Sequence, residues 1–177
     1  YLEGVGWLRD NGFTIHDIVC DGLGGLFSAL GKYRVQMCQF HQAMIVRRYL
    51  TSKPELPAAI ELMDITNMLA HTDKESFIGM LDDWSERWTS FMGVRSLDLR
   101  TGKTSYTHKR LRSAYLSLRR NMPWLWTHYD YPELHMPNTN NALEGVFTDI
   151  KTKLRVHSGI SKQRRIAMIQ ELIARRY

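Results

Sequence analysis

Residues 138–157 read NTNNALEGVFTDIKTKLRVH, and their spacing predicts an α-helix that is preceded by a polar cap. Asparagine and threonine, which open this stretch, are residue types suited to the N-terminus of a helix. The apolar side chains then recur at the three- and four-residue spacing that places them on one helical face. This apolar stripe consists of Leu143, Val146, Phe147, Ile150 and Leu154.

A second file of side chains runs along the same predicted helix, beside the apolar stripe. It begins with Glu144 and continues, about one turn apart, with Thr148, Lys151 and Arg155. An acid near the positive end of a helix, followed by cations on the same face, could hold a metal ion and then a phosphate backbone. The alternative is the solvated face of an amphipathic surface helix, and the spacing taken alone favours that alternative.

Charge is distributed unevenly along the 177 residues, whose net charge is +6. Residues 95–177 hold 16 basic and 6 acidic side chains, whereas residues 53–94 hold 3 and 8. This asymmetry favours a nucleic-acid partner over a membrane. No apolar run approaches the ~20 residues of a membrane span. The two cysteines are too few for a disulfide framework and fit a reducing cytosol.

The first forty residues predict helices that alternate with strands. A short helix comes first, and residues 13–22 then have the β-branched content of a strand that ends at Asp21. Residues 23–30 favour a helix, and residues 33–40 alternate with the period of a second strand. This order indicates an α/β arrangement in which the two strands pair in parallel.

After residue 41 the patterns are almost entirely helical. Predicted helices cover residues 42–50, 58–70, 72–93 and 108–121, the stretch 138–157, and a last helix that Ser161 caps. The third of these opens with a capping box, Thr72-Asp-Lys-Glu75. We expect residues 97–106 to be irregular and Pro123 to end the basic helix 108–121.

Three of these helices carry specific expectations about which side chains are buried. In the helix 72–93 the expected packing stripe is Phe77, Leu81, Trp84, Trp88 and Phe91. In the basic helix the expected inward side chains are Leu111, Tyr115 and Leu118, and the expected outward ones are Lys109, Arg110, Arg112, Arg119 and Arg120. In the last helix the expected inward side chains are Ile166, Ile169, Leu172 and Ile173.

Together these patterns predict an α/β protein that is mostly α-helical by residue count. Residues 1–41 would form a partial α/β core, residues 42–136 a large helical insertion, and residues 137–177 the C-terminal helices of the core. A purely helical second domain fits the same patterns.

Asp21 is a candidate catalytic residue because it lies at the expected carboxyl end of a strand, where open α/β sheets place ligands and catalytic groups. The simpler interpretation is a turn, since Asp-Gly is a common turn pair. That interpretation weakens once Glu144 is added, because a pair of carboxylates supplies the oxygen ligands that Mg²⁺ prefers near a phosphodiester.

Cys38 and His41 have one half of the spacing of a zinc site. No second Cys-x-x-Cys or His-x-x-His pair completes it in sequence, although His135 or His157 could do so in space. We therefore expect this pair to pack and hydrogen-bond at the end of the second strand, and we do not expect Zn²⁺. Cys20 is expected to lie in the core.

Several motifs together resemble the Mutator-like bacterial insertion-sequence transposases, which are Asp-Asp-Glu enzymes with an RNase H-like fold. In chain order these motifs are Asp21-Gly22 after a strand, a strand that ends in Cys38-x-x-His41, a helical insertion, and Glu144 on a helix with Lys151 seven residues later. The segments RYLT (48–51), YTHKRLR (106–112) and PNTNNALEG (137–145) extend the resemblance over essentially the whole chain. Each motif is weak individually, and their order and spacing carry the resemblance.

The resemblance implies roles for individual residues. Asp21 would be the second catalytic carboxylate and Glu144 the third, and both would bind Mg²⁺ or Mn²⁺. Cys38 and His41 would be the Cys-x-x-His pair of the family. Lys151 would contact DNA near the transposon end.

The resemblance also implies a fold, a reaction and partners. Residues 1–41 would be part of an RNase H-like core that the helical segment interrupts. The reaction would be hydrolysis at transposon ends, followed by attack of the exposed 3′-OH on target DNA. The partners would be double-stranded DNA and further copies of the transposase, in the bacterial cytoplasm at the nucleoid. Among the basic side chains, we add Arg155, Lys109 and Arg112 to Lys151 as candidates for DNA binding.

One departure from the family concerns the first catalytic Asp, which lies on an earlier strand than any in this sequence. The nearby acids Asp10 and Asp17 lie in the wrong elements to replace it. We therefore expect the chain to be the C-terminal part of a transposase and to be inactive alone. The alternatives are a truncated remnant that binds DNA or transposase without cutting, and a helical DNA-binding protein with no catalytic ancestry.

Overall fold

The computed structural model describes residues 1–175, most of which are helical. The helices are α1 (Leu2–Asp10), α2 (Leu26–Ala29), α3 (Gln39–Leu50), α4 (Pro57–Met68), α5 (Lys74–Gly93), α6 (Lys109–Leu125), α7 (Thr127–Asp130), α8 (Asn141–Val156) and α9 (Lys162–Ala174), with a 3₁₀ turn at Pro132–Leu134. The strands are β1 (Asp17–Cys20), β2 (Arg34–Met37), β3 (Arg95–Asp98) and β4 (Lys103–Tyr106).

The strands form two small sheets. β1 and β2 pair in parallel, with Cys20 opposite Met37, and this confirms the predicted α/β start of the chain. β3 and β4 form a separate antiparallel hairpin. The described chain is thus mostly helical, with few strands.

The main hydrophobic core is built by α3, α4, α5 and α6. Phe77, Leu81 and Trp84 lie on one face of α5, at the spacing that the sequence predicts, and they are fully or almost fully buried. The indole Nε1–H of Trp84 donates to the carbonyl of Ala58 at 2.9 Å, so that the buried polar group is satisfied. A smaller cluster around Cys20 and Val35 lies between the parallel strands and α2.

The chain divides into two compact units, residues 1–139 and the residues from Asn140 onward. The first unit contains all four strands and helices α1 to α7. The second contains α8 and α9. The division into segments 1–41, 42–136 and 137–177 stays a prediction.

The expectation that residues 97–106 are irregular is wrong, because most of them belong to the β3–β4 hairpin. Arg95 pairs with Tyr106 at the base of the hairpin, and Asp98 pairs with Lys103 next to the tip. The loop holds its shape because Asp98 accepts the backbone N–H groups of Arg100 and Thr101, at 2.9 and 3.3 Å. A capped turn that contains glycine is a hairpin signal.

The expectation that Pro123 ends the basic helix is also wrong, because α6 continues through it to Leu125. Proline removes one helical hydrogen bond. The two residues that follow Trp124, namely Leu125 and Trp126, are buried, and tertiary packing of this kind overrides local propensity.

The prediction that a capping box opens α5 at Thr72 is wrong, because the helix begins one residue later. Asp73 is the N-cap of α5, and its carboxylate accepts the backbone N–H of Ser76 at 2.8 Å. This hydrogen bond, together with one from the Ser76 hydroxyl, lowers the pKa of Asp73. By contrast, Ser161 caps α9 as expected and accepts the N–H of Arg164 at 3.3 Å.

The apolar stripes of the second unit are buried less than the sequence predicts. In α8, Ile150 is buried, whereas Leu143 and Phe147 are about half exposed. In α9, the prediction that Ile166 and Ile173 face inward is wrong, because both are exposed. Within residues 1–175, no helix is both long enough and apolar enough to cross a membrane.

Candidate functional site

Asp21 is the first residue after β1, at the carboxyl end of the parallel pair. Its carboxylate oxygen Oδ1 accepts the backbone N–H of Leu23 at 3.3 Å, and the side chain is half-buried. The ladder continues for one more bond beside it, because Cys38 donates its N–H to the carbonyl of Cys20 at 2.8 Å. The turn interpretation and the catalytic interpretation of Asp21 are therefore compatible, since a turn at a strand end positions the carboxylate.

Gly22 holds this turn close to the neighbouring strand. Its φ of +83° lies in the left-handed region, which disfavours residues with a Cβ. A Cβ at this position would also lie 2.5 Å from Cε of Met37, whose side chain is fully buried. The Asp21-Gly22 turn is consequently packed against the end of β2.

Both cysteines are buried, and His41 lies three residues after the second of them. Cys20 lies in the smaller core cluster, as predicted, and burial raises the pKa of its thiol, with the nearby Asp21 acting in the same direction. Cys38 directly follows β2 and is fully buried. His41 lies in the first turn of α3, and its ring meets the Phe40 ring edge-on, with centroids 5.9 Å apart.

Glu144 lies in the first turn of α8, in the second unit. Its backbone N–H donates to the carbonyl of Asn140 at 3.1 Å, and its side chain is half-buried. The cations that follow on its face, Lys151 and Arg155, are both exposed. The predicted file of one acid followed by cations is therefore present on a helix, and the two basic side chains are accessible to a polyanion.

The Asp21 carboxylate belongs to the first unit and the Glu144 carboxylate to the second. Both supply the hard oxygen ligands that Mg²⁺ or Mn²⁺ prefers, so their chemistry fits such an ion. Among residues 1–175, no group of three or more His, Cys, Asp or Glu side chains is arranged to hold a metal ion.

The cations of α6 differ in how they are engaged. Lys109 is exposed. Arg112 is half-buried, with its guanidinium carbon 3.8 Å from the centre of the Tyr106 ring and a hydrogen bond of 3.3 Å to the carbonyl of Met92. Arg119 is half-buried too, and pairs with Asp82 and with the Tyr115 hydroxyl. Arg112 and Arg119 are thus not the freely solvated side chains that the helical pattern predicts.

An open cavity of about 590 Å³ lies where α3 ends and α4 and α6 begin. Three cations, Lys53, Lys109 and Arg110, are among the residues that line it. Arg110 also donates to the carbonyl of Arg48 at 2.8 Å. Glu55 lines the cavity too, so three cations and one carboxylate give it an excess of positive charge at the start of α6.

Three buried glutamines, one in β2 and two in α3, form hydrogen bonds that link these elements to α6 and to the residues after it. The sequence patterns did not predict them. Gln36 donates from Nε2 to the carbonyl of Leu125 at 3.0 Å and accepts the backbone N–H of His128 at 3.0 Å. Gln39 donates to the same Leu125 carbonyl at 3.0 Å. Gln42 donates to Ser117 Oγ at 3.0 Å. These contacts position the strand end that precedes Cys38 and His41.

In comparisons with protein-family models, with curated proteins and with solved structures, no match to this chain was found.

Proposed function

We propose that this chain is a catalytic-domain segment of an Asp-Asp-Glu transposase that acts on double-stranded DNA with Mg²⁺ or Mn²⁺. The proposal takes up the resemblance to Mutator-like transposases and an RNase H-like core for residues 1–41. The observation that carries it is the position of Asp21, directly after β1 of a parallel pair, where α/β sheets place catalytic groups. The accessible cations that follow Glu144 along α8 support DNA as the substrate.

The proposal assigns different tasks to the carboxylates and to the cations. Asp21 and Glu144 would hold divalent ions, which activate an attacking oxygen and stabilise the leaving oxygen of a phosphodiester. Lys151 and Arg155 would bind phosphates of the DNA backbone and would position the duplex without reading its sequence. Several copies of the transposase would assemble on DNA.

Cleavage by the complete transposase tests the carboxylates. Asp21→Asn and Glu144→Gln should each lower Mg²⁺-dependent cleavage of a transposon-end duplex at least ~100-fold, since even residues that only support metal ligands contribute 10- to 100-fold. DNA affinity should stay within about twofold, because neither carboxylate binds a phosphate directly. Glu171→Gln, on α9, is the matched control and should leave cleavage unchanged. Cleavage by Glu144→Gln at the normal rate would disprove the assignment.

Metal binding by the 177-residue chain gives a second measurement that does not depend on activity. The paramagnetic signal of free Mn²⁺ should fall when the chain is added, and Asp21→Asn should reduce this effect. A chain that binds Mn²⁺ equally well with and without Asp21 would remove that residue from the metal site.

The cations on α8 are tested by the salt dependence of DNA binding. Lys151→Ala should weaken binding and should reduce the slope of log K against log salt by about 1, because one phosphate contact is lost. Lys74→Ala is the matched control, since that amine is already paired with Asp130 at 2.7 Å. An unchanged slope for Lys151→Ala would exclude Lys151 from the interface.

A non-catalytic remnant that binds DNA or transposase is the second candidate. The exposed Lys151 and Arg155 favour it, because a phosphate contact needs no metal. It predicts that DNA binding is present without cleavage, and that Asp21→Asn and Glu144→Gln do not change metal binding.

A further inference from the structure

The β3–β4 hairpin is largely exposed to solvent and has little packing of its own. All four residues of β3 are exposed, and in β4 only Ser105 and Tyr106 are half-buried. A two-stranded hairpin without a buried face is marginally stable in water. Its regular shape therefore depends on contacts at its base and at its tip.

The base of the hairpin is held by stacked cations. The guanidinium groups of Arg95 and Arg112 both lie over the Tyr106 ring, at 4.7 and 3.8 Å from its centre. The backbone continues the pairing there, since Thr107 donates its N–H to the carbonyl of Val94 at 2.9 Å. Arg112 is anchored in α6, so the hairpin is fixed to the helix that follows it.

The tip of the hairpin is held by Asp98. Besides its side-chain contacts with the loop, its carbonyl accepts the N–H of Gly102 at 2.8 Å, and Gly102 has a φ of +66°. The hydrogen bond from the Arg100 N–H lowers the pKa of Asp98 and keeps the carboxylate ionised. The one acidic side chain of this region is therefore engaged within the turn.

The tip region exposes one apolar side chain and two cations. Leu99 is 90% exposed, and both Arg100, the next residue, and Lys103, which pairs with Asp98, are exposed. Residues 95–112 contain six basic side chains and one acidic side chain. This basic stretch extends from the hairpin into α6, where Lys109 and Arg110 line the cavity described above.

We propose that the β3–β4 hairpin is a DNA-binding element whose tip enters a groove of duplex DNA. Arg100 and Lys103 contact the phosphates on either side, and Leu99 lies against a base step. Two-stranded ribbons of DNA-binding proteins enter either groove, and the minor groove is the one from which apolar wedges are inserted. Apolar side chains such as leucine are used by DNA-binding proteins as wedges that partly unstack base pairs. This inference rests on the proposed function for the choice of DNA as partner, but it concerns neither Asp21 nor Glu144.

Two other partners fit the hairpin less well. A membrane surface would attract the cations, but membrane affinity grows with buried apolar area, and the tip offers chiefly Leu99. The first unit of a second copy carries 16 basic and 15 acidic side chains, so it offers far less complementary charge than the phosphates of a duplex. Charge complementarity therefore favours nucleic acid.

The first test measures how the 177-residue chain binds a short fluorescent duplex at several salt concentrations. The double variant Arg100→Ala/Lys103→Ala should reduce the salt slope by about 2, because two phosphate contacts are lost. The matched control is Lys32→Ala/Arg87→Ala, which removes two exposed cations elsewhere in the first unit and should keep the slope. An unchanged slope for the hairpin variant overturns the inference.

The second test places 2-aminopurine, a base whose fluorescence rises on unstacking, in the same duplex. The unaltered chain should raise its fluorescence, and Leu99→Ser should abolish the rise. Leu97→Ser, in the same hairpin and 54% exposed, should preserve it. Equal behaviour of the two leucine variants, or binding to anionic vesicles with no binding to DNA, overturns the inference.

The outcomes separate this inference from the proposed function. If the hairpin variants behave as expected and cleavage by the complete protein is insensitive to Glu144→Gln, only the catalytic assignment fails. If cleavage is lost in Glu144→Gln and the hairpin variants bind normally, only the role of the hairpin fails.

Discussion

The two units of the chain differ both in how many apolar side chains they bury and in net charge. Every buried apolar side chain of the described residues except Ile150 belongs to residues 1–139. In the sequence, residues 1–139 carry 16 basic and 15 acidic side chains, whereas residues 140–177 carry eight and three. The first unit is thus nearly neutral with a large core, and the second is basic with a small one.

This difference indicates which part of the chain provides stability and which part provides affinity for polyanions. Burial of apolar surface is the main favourable term in folding. Most of the stability therefore comes from the α3–α6 core of the first unit. Exposed cations contribute little to stability and much to association with nucleic acid. Within the first unit, the hairpin and the cavity at the start of α6 depart from this pattern, because both carry exposed basic side chains.

A pair of matched phenylalanine variants tests this comparison, and the largest effect is expected here. Phe77 in α5 is fully buried, and Phe147 in α8 is 49% exposed. Phe77→Ala should lower the free energy of unfolding by about 3–5 kcal/mol, because it leaves a cavity in the core. Phe147→Ala should lower it by less than ~1.5 kcal/mol. Urea unfolding followed by circular dichroism measures both, and equal losses would contradict the comparison.

The glutamine network of the first unit gives the next largest effect. Gln36 is fully buried and joins the carbonyl of Leu125 to the backbone N–H of His128. Gln36→Leu should cost about 1–3 kcal/mol in urea unfolding, because it leaves buried polar groups without this partner. The control is Gln163→Leu in the second unit, where the side chain is exposed and the change should be within ~0.5 kcal/mol. A neutral Gln36→Leu variant would show that the network adds no stability.

The helices were predictable because their apolar spacing reflects one buried face. The stripe of α5 illustrates this, since Phe77, Leu81 and Trp84 recur with the helical period and are all buried. β2 was predicted as an alternating strand, but Val35, Gln36 and Met37 are buried in succession. Strands of parallel sheets are covered on both faces, so a polar residue such as Gln36 can be buried when its hydrogen bonds are satisfied.

The hairpin was not predicted because its strands have no buried face and therefore no strong alternation of apolar and polar residues. Its sequence signal was the loop from Asp98 to Gly102, because aspartate and glycine are common in turns. For the same reason the position of Arg112 was not predictable from α6 alone, since its partner Tyr106 lies on β4. Asp21 at a strand end and Glu144 at a helix start were placed by local patterns, which say nothing of distances between elements.

The smallest expected effect concerns how the stability of the first unit depends on pH. Burial lowers the pKa of His128, whose ring Nδ1 lies 3.2 Å from Oε1 of Gln36. The unfolded chain therefore takes up the proton first as pH falls through the ordinary histidine pKa, about 6.5. Stability from this group is complete above that value and is lost on acidification until the pH lies below the folded-state pKa.

The variant His128→Gln isolates this contribution from the other histidines. Between pH 7.5 and 5, the unfolding free energy of the unaltered protein should fall by up to ~1 kcal/mol more than that of the variant, since partial solvation limits the effect. The control is His157→Gln in the second unit, where the side chain is exposed and the pH dependence should follow that of the unaltered protein. If His128→Gln and the unaltered protein lose stability in parallel, His128 does not couple the buried network of the first unit to pH.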